Sequence, residues 1–547
     1  MMVSPARRHA SGHVFAVLSY ALCAWIVTQH GFHLGRMVAG DGADPFIYIW
    51  FLSWWPYALS HHLNPLFTHL VWQPSGLNLA WTTSIPSLAL LAAPLTLTLG
   101  PVVSYNLLCL AAPILGAASA YALCLYITRQ RLPAWFGGFL FAFSSYAMAR
   151  QNDQLNLSFT ALVPLLVLLA LARIDGRIGR RGAVGGAVVL LALQAGISLE
   201  IFATLVLAGG FAWALTWLML PARRSGMRML LLDCLWVLPF LLLALAPLLW
   251  AIFAWRRDIH LPEAWPDFFS TDLLNLIIPT ATTWLGGRFF LPLSQHFPGL
   301  TCEQGGYLGL PLVTILWVYL RRTHRYFFVL FLGLLLAMLG PHLWIGGRQT
   351  PVPLPWAVFR AMPLLGNALP ARLALYVSLL AAMIAALWMA RAPNRWRLVV
   401  AGLVVLFIWP MPRPMQTIPA TPLFAPARFA EVFGKNPKLL ILPFGFNGQA
   451  TYWQVQSRFG FAQTGGYLGF PPVQAQRLEP IIRLYLGYNS PNLAQSLAAY
   501  CQSTGTDFIV ITPGTQPDIR AQIMTLGWPA RTVDDVTILT VPSVKHD

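Results

Sequence analysis

The sequence predicts a polytopic α-helical membrane protein with about eleven transmembrane helices, followed by a small α/β domain at the C-terminal end. Three observations carry that expectation. Of 547 residues, 57% are hydrophobic and only 10% charged, with a mean hydropathy of +0.62. Apolar runs of about 17–25 residues, the length that crosses a hydrocarbon core as a helix, recur over the first three quarters of the chain. After about residue 411 they cease, and short strand-like and helix-like segments replace them. Lipid offers backbone groups no partner, so the spanning segments must be helices.

The apolar runs lie near 13–34, 103–128, 133–149, 155–172, 182–199, 201–220, 229–252, 304–320, 325–343, 369–391 and 397–411. The first follows Arg7 and Arg8 and lacks a small-residue cleavage site, so it reads as a retained span rather than a signal peptide. The formal charge of +17 does not point to nucleic acid, because the arginines cluster in short connections between runs. With the N-terminus inside, Arg129 and Arg131, Arg173 to Arg181, Arg223 to Arg228, Arg321 to Arg325 and Arg391 to Arg397 all fall in cytoplasmic loops. The run at 84–100 is short and holds Pro86 and Pro94; counted as a span, it would invert every later loop. It is therefore expected to be re-entrant or interfacial. Eleven spans then leave the C-terminal segment outside the cytoplasm.

In this topology Asp41, Asp44, Asp153, Glu200, Asp258, Glu263, Asp267, Asp272 and Glu303 lie at the outer ends of spans, while Asp175 and Asp233 lie on the cytoplasmic side. A carboxylate at bilayer depth costs about 2.5–3.5 kcal/mol on insertion scales. Asp41, Asp153, Glu200 and Glu303 are thus expected to line a polar cavity that opens outward. Between the first spans, Trp50, Trp54 and Tyr57 recur at helical spacing, the pattern of a helix lying at the headgroup level. Interfacial helices are expected over about 46–100, within a membrane domain covering 1–411.

Pro410, Pro412, Pro414, Pro419 and Pro422 form a stiff linker into the second domain, 412–547. Strands are expected at Leu439 to Leu442, Phe508 to Ile511 and Val536 to Val541, with a helix near Pro491 to Cys501. The segment Gly465-Gly466-Tyr467-Leu468-Gly469 echoes Gly305-Gly306-Tyr307-Leu308-Gly309, and the repetition reads as coincidence. Neither copy sits in the strand–turn–helix that a dinucleotide site needs. The six cysteines show no paired spacing of a zinc site or disulfide framework.

The leading candidate site is Gly40-Asp41-Gly42-Ala43-Asp44-Pro45. Its two carboxylates suit a general base, a ligand for a divalent cation such as Mg or Mn, or both; a solvated turn is the alternative. Asn152, Asp153 and Asn156 gather polar groups at an outer junction, fit for sugar hydroxyls or for a plain turn. Glu200 stands in a hairpin between two apolar runs. Glu303 opens a span, where acids often only complement the helix dipole. Arg372 offers fork geometry for a lipid phosphate, or snorkels to headgroups. His61, His62 and His69 are weaker candidates for a metal.

An acidic pair after the first span, interfacial helices, about eleven spans and an outer soluble domain together resemble the GT-C superfamily of membrane glycosyltransferases. Asn156 to Pro164, Glu303 to Pro311 and Leu369-Pro370-Ala371-Arg372 look like segments of large bacterial members with C-terminal outer domains. The resemblance implies transfer of a sugar from a polyprenyl-phosphate carrier to an extracytoplasmic cell-envelope glycan or lipid, with inversion, at the bacterial inner membrane. It places the essential first-loop acid at Asp41 or Asp44 and a second acidic loop at Asp153. Two departures stand out. Ala368 occupies the region where such members often carry an additional arginine, and two residues separate the paired acids. The rival classes are an envelope-lipid transporter or flippase and a non-catalytic assembly protein. Transporters typically carry repeats and acids near the midplane, whereas here the acids gather at one face.

Overall fold

The computed structural model describes residues 5–28, 33–254, 265–361, 368–392 and 394–542. Asp258 and Glu263, assigned by sequence to the outer acids, lie outside the described residues. The chain divides into two compact units, one of Met1–Leu34, Asn106–Leu245 and Pro262–Met415, the other of Gly35–Tyr105, Ala246–Leu261 and Gln416–Asp547.

Helices follow the apolar runs. In chain order they are α1 (Pro5–Thr28), α2 (Asp44–Ser60), α3 (Pro86–Leu91), α4 (Ala93–Leu99), α5 (Pro101–Thr128), α6 (Arg131–Ala142), α7 (Ser145–Arg150), α8 (Leu155–Ser158), α9 (Leu162–Ile174), α10 (Arg180–Ile197), α11 (Leu199–Met219) and α12 (Arg224–Ala254). Leu310–Arg321, Arg325–Met338, Ala374–Arg391 and Arg395–Ile408 continue the series. Among the described residues, six helical segments are long and apolar enough to cross a membrane: Pro101–Thr128, Leu155–Ile174, Arg180–Ile197, Leu199–Met219, Pro221–Ala254 and Pro370–Arg391. Gly12–Thr28, Leu310–Arg321 and Arg325–Met338 are shorter apolar helices.

In the first unit, Ala374–Arg391 is the central helix, buried along most of its length. α6 packs closely on it at Gly137 and on α1 and α5 at Gly138, because neither glycine carries a side chain. A Cβ at Gly137 would lie 3.2 Å from Ala386 Cβ, and one at Gly138 would collide with the Tyr20 hydroxyl. Small residues at such crossings let helix backbones approach. The run at 133–149 forms two helices rather than one. Ser144 caps α7, its hydroxyl accepting from Ala147 N at 3.3 Å, so the chain turns there. At the basic end of the unit, Arg173 Nε donates to Asp233 Oδ2 at 2.6 Å and Tyr126 Oη to Asp175 Oδ2 at 2.7 Å. The two acids that sequence grouped with the arginines are therefore bonded beside them.

In the second unit, α2 differs from its expected setting. Trp50 is fully buried and Trp54 nearly so. Each indole N–H has a fixed acceptor: Trp50 Nε1 donates to Gln454 Oε1 at 2.9 Å, Trp54 Nε1 to Pro65 O at 3.0 Å and Trp55 Nε1 to Ser84 O at 2.9 Å. The helical spacing of the rings is as read, but they pack inside the unit rather than meeting headgroups. The run at 84–100 becomes α3 and α4, each opened by a proline in its first turn. Each spans only about 10 Å at roughly 1.5 Å per residue, a third of a hydrocarbon core of about 30 Å.

A five-stranded sheet completes this unit. Its strands are β1 (Lys438–Leu442), β2 (Ala462–Gln463), β3 (Phe508–Ile511), β4 (Ala530–Val533) and β5 (Val536–Thr540), in the spatial order β4-β5-β3-β1-β2. β1 runs parallel to β2 and β3, with Leu440 opposite Ile509, while β5 pairs antiparallel with β3 and β4. Alternation sends Leu439, Ile441, Val536 and Ile538 into one core with Phe424, Phe429 and Trp453. A helix at Leu493–Thr504 precedes β3.

Candidate active site

Four charged side chains of the first unit form one ion cluster. Arg150 ends α7 and is fully buried. Its Nη1 donates to Gln154 Oε1 at 2.8 Å, and its Nη2 pairs with Glu303. Glu303 lies in the short turn Thr301–Glu303, before the helix that opens at Leu310. Arg372 grips the same carboxylate from the other side, Nη2 donating to Oε1 at 2.7 Å and Nε to Oε1 at 3.1 Å. The remaining Arg372 nitrogen, Nη1, pairs with Glu200 in the first turn of α11, where Ser198 is the cap. Two guanidinium groups thus face two carboxylates. Burial alone would push the Glu303 carboxyl up, but Arg150 and Arg372 outweigh it and hold it down at about 2.

Exposure is graded across the cluster. The Arg150 and Glu303 side chains are 0% and 2% exposed, whereas Arg372 is 18% and Glu200 26% exposed. Glu200 therefore forms its open edge. Asp153, in the turn after α7, contributes to the field that, together with burial, pushes the Cys302 thiol up. Asn152 is half-buried in that turn and Asn156 is buried in α8. Sequence reading anticipated Asp153, Glu200, Glu303 and Arg372 but missed Arg150. Ala368 stands two positions before Pro370, where no arginine is available, yet Glu303 still meets two arginines, because the second comes from α7.

Asp41 and Asp44 belong to the second unit. Asp41 is exposed, in the turn before α2. Asp44 is the first residue of α2, half-buried, where the amide-rich helix end favours a carboxylate. The Tyr467 hydroxyl donates to Asp44 Oδ1 at 2.6 Å. Burial first, and then the Asp44 charge, raise the Tyr467 hydroxyl well above its usual range, so it remains a donor. Tyr467 belongs to the Gly-Gly-Tyr-Leu-Gly segment that the sequence reading set aside.

The histidines have ordinary local partners, His61 Nδ1 with Tyr57 O at 2.9 Å and His69 Nδ1 with Pro74 O at 3.3 Å. Among the described residues, no group of three or more His, Cys, Asp or Glu stands together as a metal site. All six cysteines are free thiols.

No protein-family model matches the sequence, and no curated protein matches it. Solved structures do match. The mycobacterial arabinofuranosyltransferase AftD superposes with a TM-score of 0.58 at 13% identity, over 100% of this chain and 42% of AftD. The archaeal oligosaccharyltransferase AglB from Archaeoglobus fulgidus, solved with an inhibitory peptide and a dolichol-phosphate, gives 0.51 at 13% identity, over 93% of this chain and 70% of AglB. The chain thus spans less than half the length of AftD. The chain shares the fold of these two glycosyltransferases, in agreement with the GT-C resemblance of its sequence.

Proposed function

We propose that the protein is an inverting membrane glycosyltransferase that moves a sugar from a polyprenyl-phosphate carrier to an extracytoplasmic cell-envelope glycan or lipid at the bacterial inner membrane. The observation that carries this reading is Asp44, set at the first turn of α2 and held by Tyr467, in a fold shared with two solved glycosyltransferases. The acceptor hydroxyl must lose a proton as it attacks, and the Asp44 carboxylate is the base that takes it. The dolichol-phosphate of the AglB structure supports the class of donor. Within the first unit, Arg372 offers fork geometry for a phosphate, at the edge where Glu200 is the most exposed carboxylate of the ion cluster. Asp153, Asn152 and Asn156 supply hydroxyl partners for sugar. Asp41 and Asp44 are hard oxygen donors of the kind that hold Mg or Mn when substrate phosphate completes the shell, and such an ion would offset phosphate charge.

Incubating the purified protein with polyprenyl-phosphate sugars and an envelope extract tests the activity. Label is expected to leave the lipid and appear in an envelope glycan or lipid; a carrier that keeps its sugar under all conditions refutes the reading. The topology belongs to the same proposal: eleven spans, a cytoplasmic N-terminus and an outer C-terminal domain. A reporter active only in the cytoplasm, fused after Asp547, is expected to stay silent. Cytoplasmic signal from that fusion would remove the outward-facing site.

A further inference from the structure

Building on the glycosyltransferase reading, we propose that Tyr467 is a positioning residue, whose hydroxyl fixes the Asp44 carboxylate in the orientation that meets the acceptor. A carboxylate at the end of a short stem turns through a broad, roughly two-fold torsion, so a base at the mouth of a helix needs something to choose its rotamer. The Tyr467 hydroxyl, 2.6 Å from Oδ1, does so.

The loop that carries Tyr467 is built to hold it. On one side, Gln463 N donates to Leu70 O at 2.8 Å and Trp72 N to Gly465 O at 2.9 Å. On the other, the Tyr485 hydroxyl bonds Gly469 O, and Thr451 Oγ1 donates to Tyr467 O at 3.1 Å. Gly466 has φ of +116° and Gly469 φ of +121°, backbone states that suit glycine. A Cβ at Gly465 would run into the Phe444 ring. The three glycines are therefore the residues that let this loop bend around Tyr467. The Tyr467 ring is seated separately, edge-on to Phe446 at 5.3 Å and tilted against Tyr485 at 6.0 Å. Phenylalanine would keep both ring contacts and lose only the hydroxyl on Asp44.

The test compares Tyr467→Phe, Asp44→Asn and the double variant in purified full-length protein, using a labelled polyprenyl-phosphate sugar that wild type transfers. Tyr467→Phe is expected to lower kcat by roughly 10- to 100-fold, the scale of a misplaced catalytic group, with KM for the donor within about twofold and an unchanged melting temperature. Added to Asp44→Asn, it is expected to cost nothing further, because the hydroxyl acts through the carboxylate. Normal kcat in Tyr467→Phe overturns the assignment, as does a further loss on the Asp44→Asn background. A fall in kcat accompanied by a collapse of the melting temperature overturns it too. Failure of the underlying reading looks different: there Asp44→Asn itself retains full transfer.

Discussion

Asp44→Asn is expected to reduce sugar transfer by about 10²–10⁴-fold, with expression and donor binding near wild type. Asparagine keeps the size of the side chain and still accepts the Tyr467 hydrogen bond, so the local fold has little reason to change. What it loses is the capacity to take a proton from the acceptor. The helix-end charge it gives up is worth only about 0.3–1 kcal/mol, too little to mimic a lost base. Asp41→Asn is expected to abolish transfer as well, through the cation or the orientation of the site, since Asp41 is exposed and precedes the helix. Initial rates of label transfer, with donor binding measured in parallel, check both. If the two single variants and the double variant transfer normally, the motif is a turn and the transporter or assembly reading takes its place.

The helices were legible because apolar length is a strong signal. Every apolar run assigned by sequence holds a helix, and Pro86 and Pro94 marked the segment that breaks into two short ones. The breaks inside 133–149 and at Phe159 were not legible, since a serine cap and a local turn leave no mark on average hydropathy. The aromatic spacing of α2 was correct and its surroundings were not. Interfacial and buried indoles share one periodicity, and what distinguishes them here is burial and fixed acceptors, Gln454 among them. The strands β1, β3 and β5 showed as β-branched and leucine-rich runs; β2 is two residues long and left no pattern.

The site followed the same division. Carboxylates stand out in so apolar a chain, so Asp44, Asp153, Glu200 and Glu303 could be named from composition and position. Of their partners only Arg372 could be named as well; Tyr467 and Arg150 could not. Tyr467 lies more than four hundred residues from Asp44, and its glycine-rich segment read as an accidental repeat. Arg150 did leave one signal: it stands alone at the end of a run where the inside-positive pattern places no cation. An arginine that breaks the topology rule needs a carboxylate, and Glu303 is that carboxylate.

That pairing leads to the second large effect. Arg150→Met is expected to destabilise the protein by up to about 3–5 kcal/mol, the usual cost of breaking a buried ion pair, less whatever Arg372 still supplies to Glu303. Arg150 and Glu303 are both shut off from solvent, and methionine fills much of the space while supplying no charge. The loss should shrink when Glu303→Gln is added, because the stranded charge is then gone. Acid gives an independent check. In the folded protein Glu303 sits at about 2, against an ordinary value of 4.5. A depressed carboxyl contributes stability that is complete above 4.5 and is lost as pH falls toward 2. Without Arg150 only Arg372 opposes the effect of burial, so the Glu303 carboxyl rises and the variant surrenders less on acidification. Thermal melts in detergent should therefore show a constant gap between wild type and Arg150→Met from about pH 5 to 8, narrowing below that. A gap that stays the same down to pH 3 would mean that the arginine stem, rather than its charge, had been holding the turn at Glu303.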